Sequence, residues 1–479
     1  MINKIFNHFV SNKSKYLLVI LLFASLVVRA WYSFRYDAIW WDEAVYIDMG
    51  KYLATMGKMG YWEFFRPPLL PVFYALLYNI HLPLMLVGKS VVVLASVGLI
   101  YLAFLLAEKI RKDSGLWAGL FLSITPVFFY FSKIALSDIT SAYIATLALY
   151  FFINRKDFIS GFLIGVAFLT RFPQGLILVP ILLSVLYREY DGASSYFKRV
   201  LRSSLVIFGG FLMLVVPYLI SNHFFYGSVF GPLIYGNQII SAYYFIYFKG
   251  FWFYVTELWH TAPFLFLSAL SFIFVALQFK KSSLKNIPLV SVFITAVVFC
   301  AYFFIQPHKE LRYGLAFISY LAVLSGVGLG WILEKVQFKK LLYLMLLAAF
   351  AIFLFNARSY VIYREVDQYK NFYAFFENKS GVYISTTPVP AVNSKILISH
   401  LFENYNYSQK SLDNVLSKEH DNIDGVIVNS CDMFCVAKET GGSCDKEISI
   451  VYKKLEDNFN HVYSENVGEC NASVFEKIK

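Results

Sequence analysis

The stretch WWDEAVYIDMGKYLATMGKMGYWE (residues 40–63), running on into FFRPPLLP (residues 64–71), decides how the rest of the chain is read. It follows an apolar segment at residues 16–36 that is long enough to cross a bilayer. Asp42, Glu43 and Asp48 therefore stand beside lipid, where charge is costly and is kept where it is used. Ala44, Ile47, Met49 or Gly50, Leu53 and Ala54 recur at helical spacing, which predicts an amphipathic helix in the membrane interface. Trp40, Trp41 and Trp62 would anchor it at headgroup depth. Arg66-Pro67-Pro68 closes the loop, because proline holds itself and the residue before it in turn or extended geometry.

Working outward, the composition is that of a membrane protein. Of 479 residues, 58% are hydrophobic, 19% aromatic and only 15% charged, with a mean hydropathy of +0.58. A soluble domain carries about 25% charged residues. Apolar runs recur along residues 1–358 and predict a mainly α, polytopic domain of about eleven spans at the length a bilayer requires. The last lies at residues 341–355. Lys/Arg clusters fall on one side at nearly every turn, which puts the N-terminus in the cytoplasm and the loop at residues 37–68 outside, in a cell-membrane protein.

The net charge of +11 does not indicate nucleic acid. From Val361 onward acids outnumber bases by five, so the basic excess belongs to the membrane part, as topology demands. Residues 359–479 differ in kind. Short β-like runs such as GVYIST, KILISH and GVIVNS alternate with polar helical stretches, predicting a small extracytoplasmic α/β domain. Cys431, Cys435, Cys444 and Cys470 all lie there and suit two disulfides, with three pairings open. The triplets NKS, NYS and NAS at residues 378, 406 and 471 are glycosylation sequons on the same domain.

By this topology eight acids of the membrane part face outward: Asp37, Asp42, Glu43, Asp48, Glu63, Asp138, Glu257 and Glu310. Arg66, Lys133, Arg171, Lys309 and Arg312 share that side, so the outer loops read as a polar reaction chamber. Acids such as Asp157 and Glu189 read as solvated loop charges on the other side, and Arg29 and Lys89 as cations snorkelling from within spans. Asp138, after Ser137, also suits capping the helix that follows. A lipid-linked sugar flippase or transporter is the alternative class. It would place charge at mid-span in several helices, which the run at residues 290–305 lacks.

WWDEAVYIDMGKYL…FRPPLLP resembles the first outer loop of the GT-C glycosyltransferases, closest to the protein O-mannosyltransferase and lipid A aminoarabinose transferase group. LSDITSAYIA (residues 136–145), GFLIGVAFLTRFPQGLILVP (161–180) and HKELRYGLAF (308–317) resemble later motifs of that family in order and sidedness. The resemblance covers roughly residues 16–333. It implies a polyprenyl- or dolichyl-phosphate sugar as donor and a protein, lipid or glycan as acceptor. Asp42 then matches the base, with Glu43 orienting the acceptor or acting in its place; the sequence does not separate the two. Asp138 would orient the acceptor or, with another acid, hold a divalent metal. Arg66, Arg171, Lys309 and Arg312 form the phosphate-binding set, and His308 and Glu310 are contacts to donor or acceptor. Hydrolysis is disfavoured, since adjacent carboxylates do not straddle one bond.

Overall fold

The computed structural model describes residues 13–35, 38–190, 195–242, 248–279, 286–335, 369–402, 411–419, 422–433, 444–468 and 470–477. Its helices are α1 (Lys13–Arg35), α2 (Trp41–Ala54), α3 (Leu69–Asn79), α4 (Leu84–Ile110), α5 (Gly115–Ile124), α6 (Pro126–Phe131), α7 (Ser137–Ile153), α8 (Asp157–Thr170), α9 (Leu178–Glu189), α10 (Tyr196–Tyr226) and α11 (Gly231–Ala242). There follow α12 (Phe253–Thr261), α13 (Ser268–Phe279), α14 (Ile287–Ile305), α15 (Leu315–Lys335), α16 (Lys370–Ala374), α17 (Val389–Val392), α18 (Leu412–Glu419) and α19 (Cys444–Glu456). Among the described residues, six helical segments are long and apolar enough to cross a membrane: Ser14–Arg35, Leu84–Ile110, Phe172–Glu189, Tyr196–Tyr226, Ile287–Ile305 and Leu311–Glu334. Five shorter apolar helices accompany them. The span expected at residues 341–355 lies outside the described residues, as do Asp37, Cys435 and the sequon at residue 406.

The chain folds as two compact units. The described parts of the first are residues 13–35, 65–67 and 89–335; those of the second are 38–64, 68–88 and 369–477.

In the first unit, α8 and α10 approach closely through glycine. A Cβ on Gly161 would collide with the carbonyl of Ile207, and one on Gly210 with that of Phe158. Small residues four apart, Gly161 and Gly165, let the two backbones touch where apolar burial gives no preference over lipid. Pro126 breaks the helix between α5 and α6. Arg29 on α1 turns inward to that break: it is buried, donates to the Ser123 carbonyl at 2.9 Å and lies over the rings of Phe128 and Phe129. The snorkelling expected of it does not occur, because the interrupted helix offers an acceptor inside the bundle. At the start of α8, Arg188 makes a bidentate pair with Asp157, both N–O distances 2.7 Å, and bonds Glu189 at 2.8 Å. These acids are thus paired side chains tying α8 to α9, not merely solvated loop charges.

The second unit is an α/β domain on a six-stranded sheet ordered β1-β3-β2-β4-β6-β5, comprising Gly60–Tyr61 (β1), Ser380–Ser385 (β2), Lys395–Leu401 (β3), Gly425–Asn429 (β4), Phe459–Val467 (β5) and Cys470–Lys477 (β6). β1, β3, β2 and β4 pair in parallel; β6 is antiparallel to β4 and to β5. The edge strand β1 comes from the opening loop, with Gly60 beside Leu397 and Tyr61 beside Ile398. Gly60 has a φ of +86°, and a side chain there would strike the Asp48 carbonyl. A disulfide joins Cys431, just past β4, to Cys470 at the start of β6. The side chain of Cys444 lies outside the described residues.

Helix α2 is not the interfacial helix that its periodicity predicts. Every residue from Glu43 to Lys51 is buried. Ala44, Tyr46 and Ile47 pack with Leu70, Tyr74 and Leu77 of α3 and with Val389 and Val392. Val45 and Met49 enter the sheet core with Tyr61, Phe372, Tyr383 and Ile398. Lys51 seals the arrangement. Its buried ammonium donates to the carbonyls of Ala391, Val392 (3.2 Å) and Ser394 (2.6 Å) at the C-terminal end of α17. Three carbonyl dipoles at a helix end suit one cation.

Asp48, one turn earlier, is fully buried and neither carboxylate oxygen has a hydrogen-bond partner. Burial raises its pKa well above the ordinary carboxylate range, opposed in part by the charge of Lys51. The folded state therefore holds this proton more tightly than the unfolded chain does. The associated stability is present at acid pH and is lost as pH rises toward the folded pKa. Asp48→Asn should raise the unfolding temperature by ~2 °C or more at pH 8 and by progressively less toward pH 4. Thermal unfolding of the detergent-solubilised protein across that range measures it, and a pH-independent difference contradicts the assignment. Lys51→Met, which leaves three carbonyls buried and unpaired, should destabilise by roughly 2–4 kcal/mol in the same assay.

Candidate functional site

The predicted site residues fall in both units, and each unit is described by itself. In the first, the start of α7, the end of α8 and the segment at residues 307–314 meet. Asp138 lies in the first turn of α7, whose N-cap is Leu136, so it is not the capping residue. Its buried carboxylate pairs with Arg171, just past the C-terminus of α8, at 3.0 Å. Arg171 has no acid near it in the sequence; its partner is 33 positions upstream. The Arg171 guanidinium also reaches Ser137 Oγ at 3.4 Å and lies over the ring of Tyr313, 5.1 Å from its centroid.

Tyr313 carries the contact onward. Its hydroxyl donates to Glu310 Oε1 at 2.7 Å and lies 3.1 Å from His308 Nε2, and the His308 ring stacks on it. Leu311–Gly314 is a 3₁₀ turn, in which side chains three apart eclipse, so Glu310 and Tyr313 share a face. Arg312 holds the same carboxylate from two nitrogens, Nε at 2.8 Å and a terminal nitrogen at 2.9 Å. Burial by itself would raise the Glu310 pKa. Hydrogen bonds from His308, Arg312 and Tyr313, with the Arg312 charge, bring it down to about 2. Glu310 is therefore ionised throughout the physiological range. It is an anchor for Arg312 and Tyr313 and too weak a base to take a hydroxyl proton.

Lys309 is buried and donates to the Lys249 carbonyl at 2.9 Å, where Phe248 and His308 form an isolated antiparallel bridge. Burial lowers its pKa. Tyr254 closes the segment with a 3.1 Å bond to the Glu310 carbonyl. Arg66 belongs to the same unit, its guanidinium 5.7 Å from the Phe65 ring, and that ring packs on Tyr235 of α11.

In the second unit, Asp42 and Glu43 occupy the first turn of α2, where the helix dipole favours anions. They are not equivalent. Glu43 is fully buried and accepts the Trp40 backbone N–H at 3.2 Å, the N3-to-cap bond of a helix start. Asp42 is half-buried. Glu63, past β1, is buried with Tyr61 Oη 3.4 Å away.

Sequence reading thus named Asp138, Arg171, His308, Glu310 and Arg312 separately, and the fold joins them. It missed Tyr313, which links the two halves; the signal was the three-residue spacing in ELRY. Among the described residues no group of three or more His, Cys, Asp or Glu side chains is placed to hold a metal ion.

Comparison with known proteins shows which folds this one shares. Residues 66–220, about a third of the chain, match the family model for dolichyl-phosphate-mannose-protein mannosyltransferase. ArnT from Cupriavidus metallidurans, solved bound to undecaprenyl phosphate, superposes with a TM-score of 0.61 at 13% identity, covering 96% of this chain and 98% of that one. The oligosaccharyltransferase of Archaeoglobus fulgidus, solved with zinc and sulfate, superposes with a TM-score of 0.60 at 13% identity, covering 85% of this chain and 68% of that one. No curated protein matches the chain at a significant level. The fold is that of the GT-C membrane glycosyltransferases, and the resemblance first drawn from the loop motifs is borne out.

The Asp138–Arg171 pair is a partner-dependent feature, since removing one member leaves the other charge buried. Asp138→Asn and Arg171→Met should each lower the unfolding temperature. The double variant should lose less than the sum, with a coupling of about 1–2 kcal/mol. Strict additivity in thermal unfolding would show that the two side chains are not energetically coupled.

Proposed function

We propose that the chain is an integral-membrane glycosyltransferase that moves a hexose from a polyprenyl- or dolichyl-phosphate donor to an acceptor hydroxyl on the extracytoplasmic side of the cell membrane. The observation that carries this reading is the linked cluster Asp138–Arg171–Tyr313–Glu310–Arg312, built at helix ends within a GT-C fold. Two guanidiniums, each oriented by its own carboxylate, suit a phosphate that gains charge as the sugar leaves.

The roles follow from the side chains. Asp42 is the base. Glu43 is fully buried at the helix start, whereas Asp42 is half-buried and so within reach of an acceptor. The acceptor hydroxyl gives its proton to the Asp42 carboxylate as its oxygen bonds the anomeric carbon. The bond from that carbon to the phosphate oxygen breaks, and polyprenyl phosphate leaves with the bonding electrons; Arg171 and Arg312, with Arg66, are the cations suited to the charge its phosphate gains. One displacement inverts the anomeric configuration. Lys309, whose ammonium is held by the Lys249 carbonyl, shapes the segment more than it binds phosphate. The family model's description favours mannose and a protein acceptor, and the sidedness rests on the distribution of Lys and Arg.

Transfer from radiolabelled polyprenyl-phosphate mannose should fall at least ~10³-fold in Asp42→Asn with unfolding temperature unchanged, and far less in Glu43→Gln, in keeping with loss of a positioned base. Full activity of Asp42→Asn removes it as the base. Arg312→Ala should raise donor KM or lower kcat by about 10–100-fold, the scale of one charge-assisted contact. An effect confined to acceptor KM would contradict the phosphate role.

A further inference from the structure

The mechanism leaves Gln174 unused, although its surroundings make it conspicuous. It lies in the 3₁₀ turn Phe172–Ile177, and its backbone N–H closes on the Arg171 carbonyl at 2.9 Å. The residue is 2% exposed, and its side-chain Oε1 has no hydrogen-bond partner. A buried amide oxygen without a partner is rare, and in a membrane-spanning bundle it is costly, because no water compensates it. A leucine or methionine would fill the same space without that cost. The turn is otherwise optimised for packing: Phe172 lies against Phe168 and Tyr218, and Gly175 admits the Phe168 ring. An orphan polar atom in so tight a turn, three residues along the chain from Arg171, calls for a ligand to complete it.

We propose that Gln174 is a specificity-determining contact for one hydroxyl of the donor sugar. This rests on the transferase reading above. A hydroxyl both donates and accepts, so it satisfies the amide whichever way the amide is turned. A phosphate only accepts and has the guanidiniums for partners. A site built to hydrogen-bond a substrate hydroxyl rejects the analogue that lacks it, since the protein group is then stranded. Gln174 therefore discriminates among sugars by an interaction made on the glycosyl group, not on the lipid or the phosphate.

The test uses the full-length protein with polyprenyl-phosphate mannose, glucose and galactose, followed by the monodeoxy analogues of whichever sugar is transferred. Wild type should prefer the parent sugar over one deoxy analogue by about 10–100-fold in kcat/KM, as expected for one hydrogen bond of this kind. In Gln174→Leu the parent should fall to the level of that analogue, while the analogue itself is unchanged. Gln174→Met provides the same comparison should the leucine variant not fold. Equal losses for parent and every analogue, or wild-type discrimination retained, would assign Gln174 a packing role and overturn the proposal. Wild type transferring none of the three sugars would instead overturn the transferase reading, and this inference with it.

Discussion

The ion pair between Arg171 and Asp138 is the constraint around which the first unit is arranged. Two charges cannot sit inside a helical bundle without each other, and the two are brought together by the ends of adjacent helices. Arg171 then reaches the Tyr313 ring, Tyr313 reaches Glu310, and Glu310 holds Arg312. Each member fixes the rotamer of the next, so the cations stand pre-oriented before any ligand arrives. The same logic works at the other end of α8, where Arg188 binds Asp157 and Glu189. That helix is thus pinned at both ends by salt bridges and along its length by glycine contact with α10.

The second unit uses a different device. Its sheet is extended by β1 and its core is filled by α2, both from the opening loop. Helix α2 is therefore held from two sides, by α3 and by the sheet, and Lys51 fastens its last turn to the C-terminal end of α17. The first turn of a helix so restrained carries Asp42 and Glu43. Rigidity of this kind is what the base proposed here needs if its carboxylate is to meet a hydroxyl in a narrow range of geometry.

Much of this was legible beforehand. Long apolar runs, paired tryptophans and the Arg-Pro-Pro turn pointed to a membrane fold with charged loops, and the loop motifs to its class. The α/β character of residues 359–479 and the Cys431–Cys470 bridge fell within what spacing and composition allowed. The misreadings have physical causes. The periodicity of α2 looked interfacial because Asp48 and Lys51 interrupt its apolar surface, yet both are buried. Arg29 looked like a snorkelling cation because the acceptor it finds, Ser123, is 94 residues away.

The amino-acid order by itself determined the class of fold, the segments destined for the bilayer and the inventory of charged groups, because hydropathy and charge are local properties that act without reference to distant residues. Only the tertiary structure decided which charges meet. Asp138 finds Arg171 across 33 residues and Lys51 finds Ser394 across 343, and in each case the partner is chosen by helix and strand packing that no local window contains. The difference between Asp42 and its neighbour Glu43 is of the same origin. Adjacent acids of nearly equal chemistry part ways when the fold buries one against a backbone N–H and leaves the other half open.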